Sequence, residues 1–136
     1  MAGKCNNWVL DNGLAALVAN ASHIFICSQE PVDFTTATVT YALGNMNFGA
    51  GAALTGPTNR SGTSGPGGTA PNPGRQVTTT AVTSGTVTGT GTAVRWAIVD
   101  VPNARLLVDN DLAAGQAVAA GNVFSIPAFN FGIPGS

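Results

Sequence analysis

The sequence predicts a mainly β fold, an antiparallel β-sandwich or barrel-like sheet with one short N-terminal helix and a long Gly/Pro-rich loop. Three observations lead there. From His23 onward, short branched, aromatic and threonine-rich runs alternate with turn residues at the ~8–12-residue spacing of all-β domains. Only one segment, near the N-terminus, repeats its apolar residues with a helical period. Between Gly49 and Gly74 almost half of the positions are glycine or proline, and the one large apolar residue is Leu54.

The helix is expected from Asn7 to about Ala21, where Leu10, Leu14, Leu17, Val18 and Ala21 recur at three- and four-residue steps and Asn6 or Asn7 can cap the first turn. Gly13 weakens it by about 1 kcal/mol relative to alanine, so packing must hold it. The period then changes to two. His23 to Cys27 reads as a strand covered on both sides, with Ile24 and Ile26 on one face and Phe25 between His23 and Cys27 on the other. Gln29-Glu30-Pro31 ends it, Thr38 to Leu43 reads as a second strand, and Asn45 to Phe48 extends it.

The stretch from Gly49 to Gly74 carries turn dipeptides at Gly56-Pro57, Gly65-Pro66 and Pro73-Gly74 and cannot enclose a core of its own. Loops longer than ~12–15 residues are uncommon in compact domains and tend to be functional or disordered, so two readings of this arm stand side by side: a flexible surface insertion, or a segment that orders only against a neighbouring subunit. Beyond it a run of hairpins is expected. Val77 to Thr83 and Thr86 to Thr90 join at Ser84-Gly85, and Ala93 to Asp100 turns at Pro102-Asn103 into Arg105 to Val108. Asp109-Asn110-Asp111 makes the next turn, Val118 to Ala120 is a weak strand, and Gly121-Asn122 leads into Val123 to Ile126 and Phe129 to Ile133.

Composition bounds the function. The 136 residues make one β-rich domain over 1–136, with 49–74 an arm within it. A hydrophobic share of 44% is that of an ordinary folding chain, but charged residues make up only 8% against a typical ~25%. Five basic and six acidic residues leave a formal net charge of −1, which offers no basic footprint for nucleic acid and no polybasic patch for a membrane. A surface so poor in charge has weak colloidal repulsion, and association is the expected working state. No run reaches the ~18 apolar residues of a membrane span, and no secretion signal is read at the N-terminus, so synthesis in the cytoplasm with free thiols at Cys5 and Cys27 is expected.

Catalytic readings find little. His23 and Cys27 share a strand face, but zinc needs three or four ligands and a nucleophilic pair needs contact and an oxyanion site. The acidic residues Glu30, Asp33, Asp100, Asp109 and Asp111 sit where turns are expected, and Asp109-Asn110-Asp111 lacks the glycine and distal glutamate of a calcium loop. The arm has no phosphate-loop lysine, and burial is expected for Trp8, beside the helix face, and for Trp96, which follows the core alternation. No catalytic residue, cofactor or metal is expected.

Three stretches carry a family likeness: Asn7-Trp8-Val9-Leu10-Asp11-Asn12-Gly13-Leu14; His23-Ile24-Phe25-Ile26-Cys27-Ser28-Gln29-Glu30-Pro31 with Phe34-Thr35-Thr36-Ala37-Thr38; and Arg75-Gln76-Val77-Thr78 with Gly89 to Asp100 and Ala117 to Ile133. In this order they resemble a family of small structural proteins of tailed bacteriophages, over nearly the whole chain apart from Gly49 to Gly74. The resemblance implies a non-enzymatic virion protein on the head surface. Its implied role is capsid decoration or cement, binding the outer surface of the major capsid protein and stabilising the head as a homo-oligomer, with a trimer the suggested form. Leu54, Arg60 and Arg75, in and beside the arm, are the candidate virion-contact residues. The alternative is a tail-tip or fibre module that binds host surface carbohydrate, which asks for Trp96 or Phe129 exposed beside polar turn residues.

Overall fold

The computed structural model describes residues 7–48, 53–59 and 75–133. In chain order the elements are α1 (Asn7–Asn20), β1 (His23–Cys27), a π-helical turn (Thr36–Thr40), β2 (Ala42–Asn47), β3 (Leu54–Asn59), β4 (Arg75–Thr79), β5 (Val82–Val87), β6 (Gly91–Asp100), β7 (Arg105–Val118), β8 (Val123–Ile126) and β9 (Phe129–Ile133). The fold is mainly β, and every described strand pairing is antiparallel. Of the two architectures expected, it has two open sheets rather than a closed barrel. The elements cluster in two compact units, α1 with β3, β4 and β9, and the remaining strands together.

In the first unit the sheet order is β3-β4-β9, with α1 against β3 and β4. The helix has the expected extent and buries Leu14, while Leu17 and Val18 are half-buried. Central strand β4 buries Val77 and Thr79, and their neighbours on β9, Phe131 and Phe129, lie on the same face with ring centroids 6.3 Å apart. Here the structure corrects the expected loop: Leu54 to Asn59 is a strand paired with β4, and the register shifts between Thr55 and Thr58 to pass Gly56-Pro57, whose peptide bond is cis. Proline is tolerated there because β3 is an edge and one ladder donor is dispensable. The rest of the arm, 49–52 and 60–74, lies outside the described residues.

The second unit is a six-stranded sheet ordered β7-β6-β1-β2-β5-β8. As its near-continuous apolar run predicts, β1 is buried on both faces. Ile24 and Ile26 lie beside Ile98, Trp96 and Met46 on one face, and Phe25 and Cys27 pack with Ala97 and Val99 on the other. Phe34, Ala37 and Tyr41, from the segment between β1 and β2, complete that second cluster.

This segment overturns the strand expected at Thr38 to Leu43. The Asp33 carboxylate accepts the Thr36 amide at 2.8 Å, and the Thr36 hydroxyl accepts the amides of Val32 and Asp33 at 2.9 and 3.0 Å. Such a reciprocal cap starts a helical turn, and the Tyr41 amide closes it on the Thr36 carbonyl at 2.9 Å. β2 therefore begins only at Ala42.

Two other expectations also change. The single strand expected over Val77 to Thr83 is divided between β4 and β5, which belong to different sheets, and Ser84-Gly85 lies inside β5 instead of at a turn towards Thr86 to Thr90. The glycine marks a close approach: a Cβ on Gly85 would lie 2.2 Å from Cζ of Phe124. Asp109-Asn110-Asp111 likewise continues β7 instead of turning, because alternation puts both carboxylates on the face that carries Arg95. The turns at 101–104 and 120–122, and strands β8 and β9, fall where the sequence places them.

Candidate functional site

The densest group of charges in the described residues surrounds Arg95. Its side chain is only 16% exposed, and its guanidinium donates to Asp109 at 2.6 Å and Asp111 at 2.5 Å, with Glu30 at 3.4 Å. The residue is raised further above its ordinary range, mainly by the Asp109 hydrogen bond and then by Asp111, against the opposing effect of burial. Three segments meet on this one cation: the turn after β1, β6 and β7. Glu30 and Asp111 are largely exposed and add little, whereas Asp109 is mostly buried and forms the strong member of the group. The charges are spent on one another, which makes the cluster a clasp.

Cys27 pairs with Arg95 across the β1–β6 ladder and is fully buried as a free thiol, its Sγ 3.5 Å from the Ala37 carbonyl. Burial, aided by the Asp109 charge and opposed by Arg95, pushes the thiol up to about 11. A thiol so placed is a poor nucleophile near neutrality. His23, at the other end of β1, lies four strand residues or about 13 Å from Cys27. Its Nδ1 is 2.9 Å from the Ser22 hydroxyl, which is 3.2 Å from the Val99 carbonyl and accepts the Val101 amide at 2.9 Å. The hydroxyl thus ties the start of β1 to the end of β6, and burial lowers the imidazole from its ordinary value. The thiol and the imidazole are not brought together. No group of three or more His, Cys, Asp or Glu able to hold a metal occurs among the described residues.

Of the carboxylates read as turn-formers, Asp33 and Asp100 serve in that way. Asp33 is held below the usual carboxylate range by its hydrogen bonds to Thr36, and Asp100 accepts the Asn103 side-chain amide at 2.8 Å. Glu30, Asp109 and Asp111 serve Arg95 instead. A two-residue spacing of the acids facing an arginine two strand positions before an apolar pair is the signal that a strand reading of 105–111 would have used.

The candidate contact residues of the arm are spread out. Leu54 opens β3 opposite Thr79, and Arg75 opens β4 opposite Asn59, so the antiparallel register sets them at opposite ends of one strand pair, about 13 Å apart along β4. Arg75 donates to the Pro57 carbonyl at 3.1 Å, and Arg60 lies outside the described residues. Trp96 is buried on the sheet and Phe129 is half-buried beside Phe131, so Trp96 offers no exposed stacking platform for a sugar. The Trp8 side chain, like Cys5, lies outside what is described.

Exposed apolar side chains occur on the second unit. Val32 precedes the π-helical turn, Val39 lies within it, and Val123 opens β8 at the sheet edge. Among the described residues no helix is long and apolar enough to cross a membrane. No family model matches the chain, and no curated protein or solved structure matches it either.

Proposed function

We propose that this chain is a non-enzymatic structural protein of a tailed-phage virion, a decoration or cement subunit that binds the outer surface of the major capsid protein and stabilises the head. The observation that carries the reading is the ordered set of sequence stretches that resemble small phage structural proteins, running from the helix opener to the last strand. The distribution of charge supports it. The best-formed charged group is closed on itself around Arg95, while the exposed strands present hydroxyls, amides and isolated valines, a surface suited to lattice contact. Individual contacts can be weak, because simultaneous attachment at several lattice points raises avidity without new interactions.

Purified heads lacking the protein, mixed with the full chain and pelleted, test this reading. Saturable co-sedimentation at a copy number comparable to that of the capsid protein is expected, along with a higher temperature of head disruption. A handful of copies per particle, at the tail, would favour the carbohydrate-binding alternative. No binding to heads or tails would refute the virion assignment.

A further inference from the structure

Strand β4 has two unlike faces. On one, Val77 and Thr79 are wholly buried; on the other, the half-buried Thr78 hydroxyl donates to the exposed Asn130 side chain at 2.7 Å. Helix α1 packs on β3 and β4, so it lies over Val77 and Thr79. Several features work against this contact. Among residues 12–20 of the helix only Leu14 is buried, with Leu17 and Val18 half-buried and the rest exposed. Gly13 interrupts the helix interior, and a Cβ there would meet nothing within 4 Å, so no close approach offsets its conformational cost. The first turn holds no acidic residue and the last turn no basic one to oppose the helix dipole. Beneath the helix, the buried Thr79 hydroxyl has no hydrogen-bond partner. With the helix docked, that hydroxyl has lost its water and gained no bond; when the helix lifts, water returns to it.

We infer that α1 is a lid: it lifts off the β3-β4-β9 sheet as a unit, at a free energy well below that of global unfolding, and bares Val77 and Thr79. A helix of 14 residues is marginal by itself, so α1 is held by its packed face, and that face is narrow and lies on an unsatisfied hydroxyl. The six-stranded sheet has the opposite character. Its strand β1 is buried on both faces and paired along both edges, with β2 and with β6. Elements with few buried contacts open first, and a doubly buried central strand opens last. This property belongs to the chain alone, whatever the chain binds.

Native-state hydrogen exchange of the full chain, resolved by residue and corrected for intrinsic rates, tests the lid. The amides of Leu14 to Val18 should exchange at least about tenfold faster than those of β1 and of Trp96 to Val99 in β6. They should share one opening equilibrium and speed up with urea, because lifting exposes apolar surface. Thr79→Val replaces the orphan hydroxyl with a methyl of the same shape and should slow α1 exchange by about fivefold or more. Gly13→Ala should slow it by a similar factor through helix propensity. Exchange of α1 no faster than that of β1 would make the helix part of the global unit and overturn the lid. Exchange that ignores urea or Thr79→Val would overturn it too, since the helix would then be fraying at its ends without leaving the sheet. Should the valine variant not fold, the urea dependence of the wild-type chain and the Gly13→Ala rates decide.

Discussion

Gly85→Ala is the most informative single perturbation of the β-sheet. A Cβ at this position would stand 2.2, 2.3 and 2.7 Å from Cζ, Cε1 and Cδ1 of Phe124, its cross-strand neighbour on β8. These three atoms form one edge of the ring, so no single terminal atom can swing clear. To reach the 3.4 Å of ordinary contact the ring must retreat by more than 1 Å, and Phe124 is almost wholly buried, with its Cε1 also 3.1 Å from the Cβ position of Gly44. Overpacking of this kind costs about 1–3 kcal/mol. Pairing Gly85→Ala with Phe124→Leu should recover part of that cost, giving a favourable coupling of about 1 kcal/mol between neighbours in contact. Urea denaturation reads both, as a lower midpoint at unchanged slope. If Gly85→Ala unfolds within about 0.5 kcal/mol of wild type, or if the cost is the same with leucine at 124, the ring does not occupy the space above the glycine and the reasoning fails.

Three further outcomes follow from the Arg95 clasp and its surroundings. Arg95→Met should destabilise by about 1–3 kcal/mol by leaving the mostly buried Asp109 carboxylate without its partner, while Glu30→Gln should cost below about 1 kcal/mol; equal losses in denaturation would mean that burial does not grade these pairs. In a Cys5→Ser background, alkylation of Cys27 at pH 8 should be limited by unfolding, because a thiol pushed up to about 11 holds about one thiolate in a thousand there; rapid labelling of the native protein would contradict its burial. Burial lowers His23, so as pH falls through the unfolded value of 6.5 the unfolded chain takes up a proton before the folded one does. Stability should decline from there until the lowered folded value is passed, and His23→Gln should flatten that part of a midpoint-against-pH curve.

By itself the sequence determined what local chemistry and periodicity control. The four-residue apolar step defines α1, the unbroken branched run His23 to Cys27 defines a strand buried on both faces, and Gly121-Asn122 and Pro102-Asn103 stand at real turns. It also placed Trp96 in the core and foresaw an antiparallel, mainly β fold. Where a residue type serves two local purposes, only the tertiary structure could choose. Gly85 could mark a turn or make room for a ring, and the choice depends on Phe124, thirty-nine residues later. Asp109 and Asp111 could close a turn or face an arginine, and the position of β6 beside β7 decides for the arginine. Thr38 to Leu43 has the β-branched composition of a strand, yet the Asp33–Thr36 cap and the burial of Ala37 against Cys27 hold its first residues in a helical turn. Propensity acts over a few neighbours, whereas a cross-strand partner is set by register between segments far apart in the chain, and register is a property of the folded sheet.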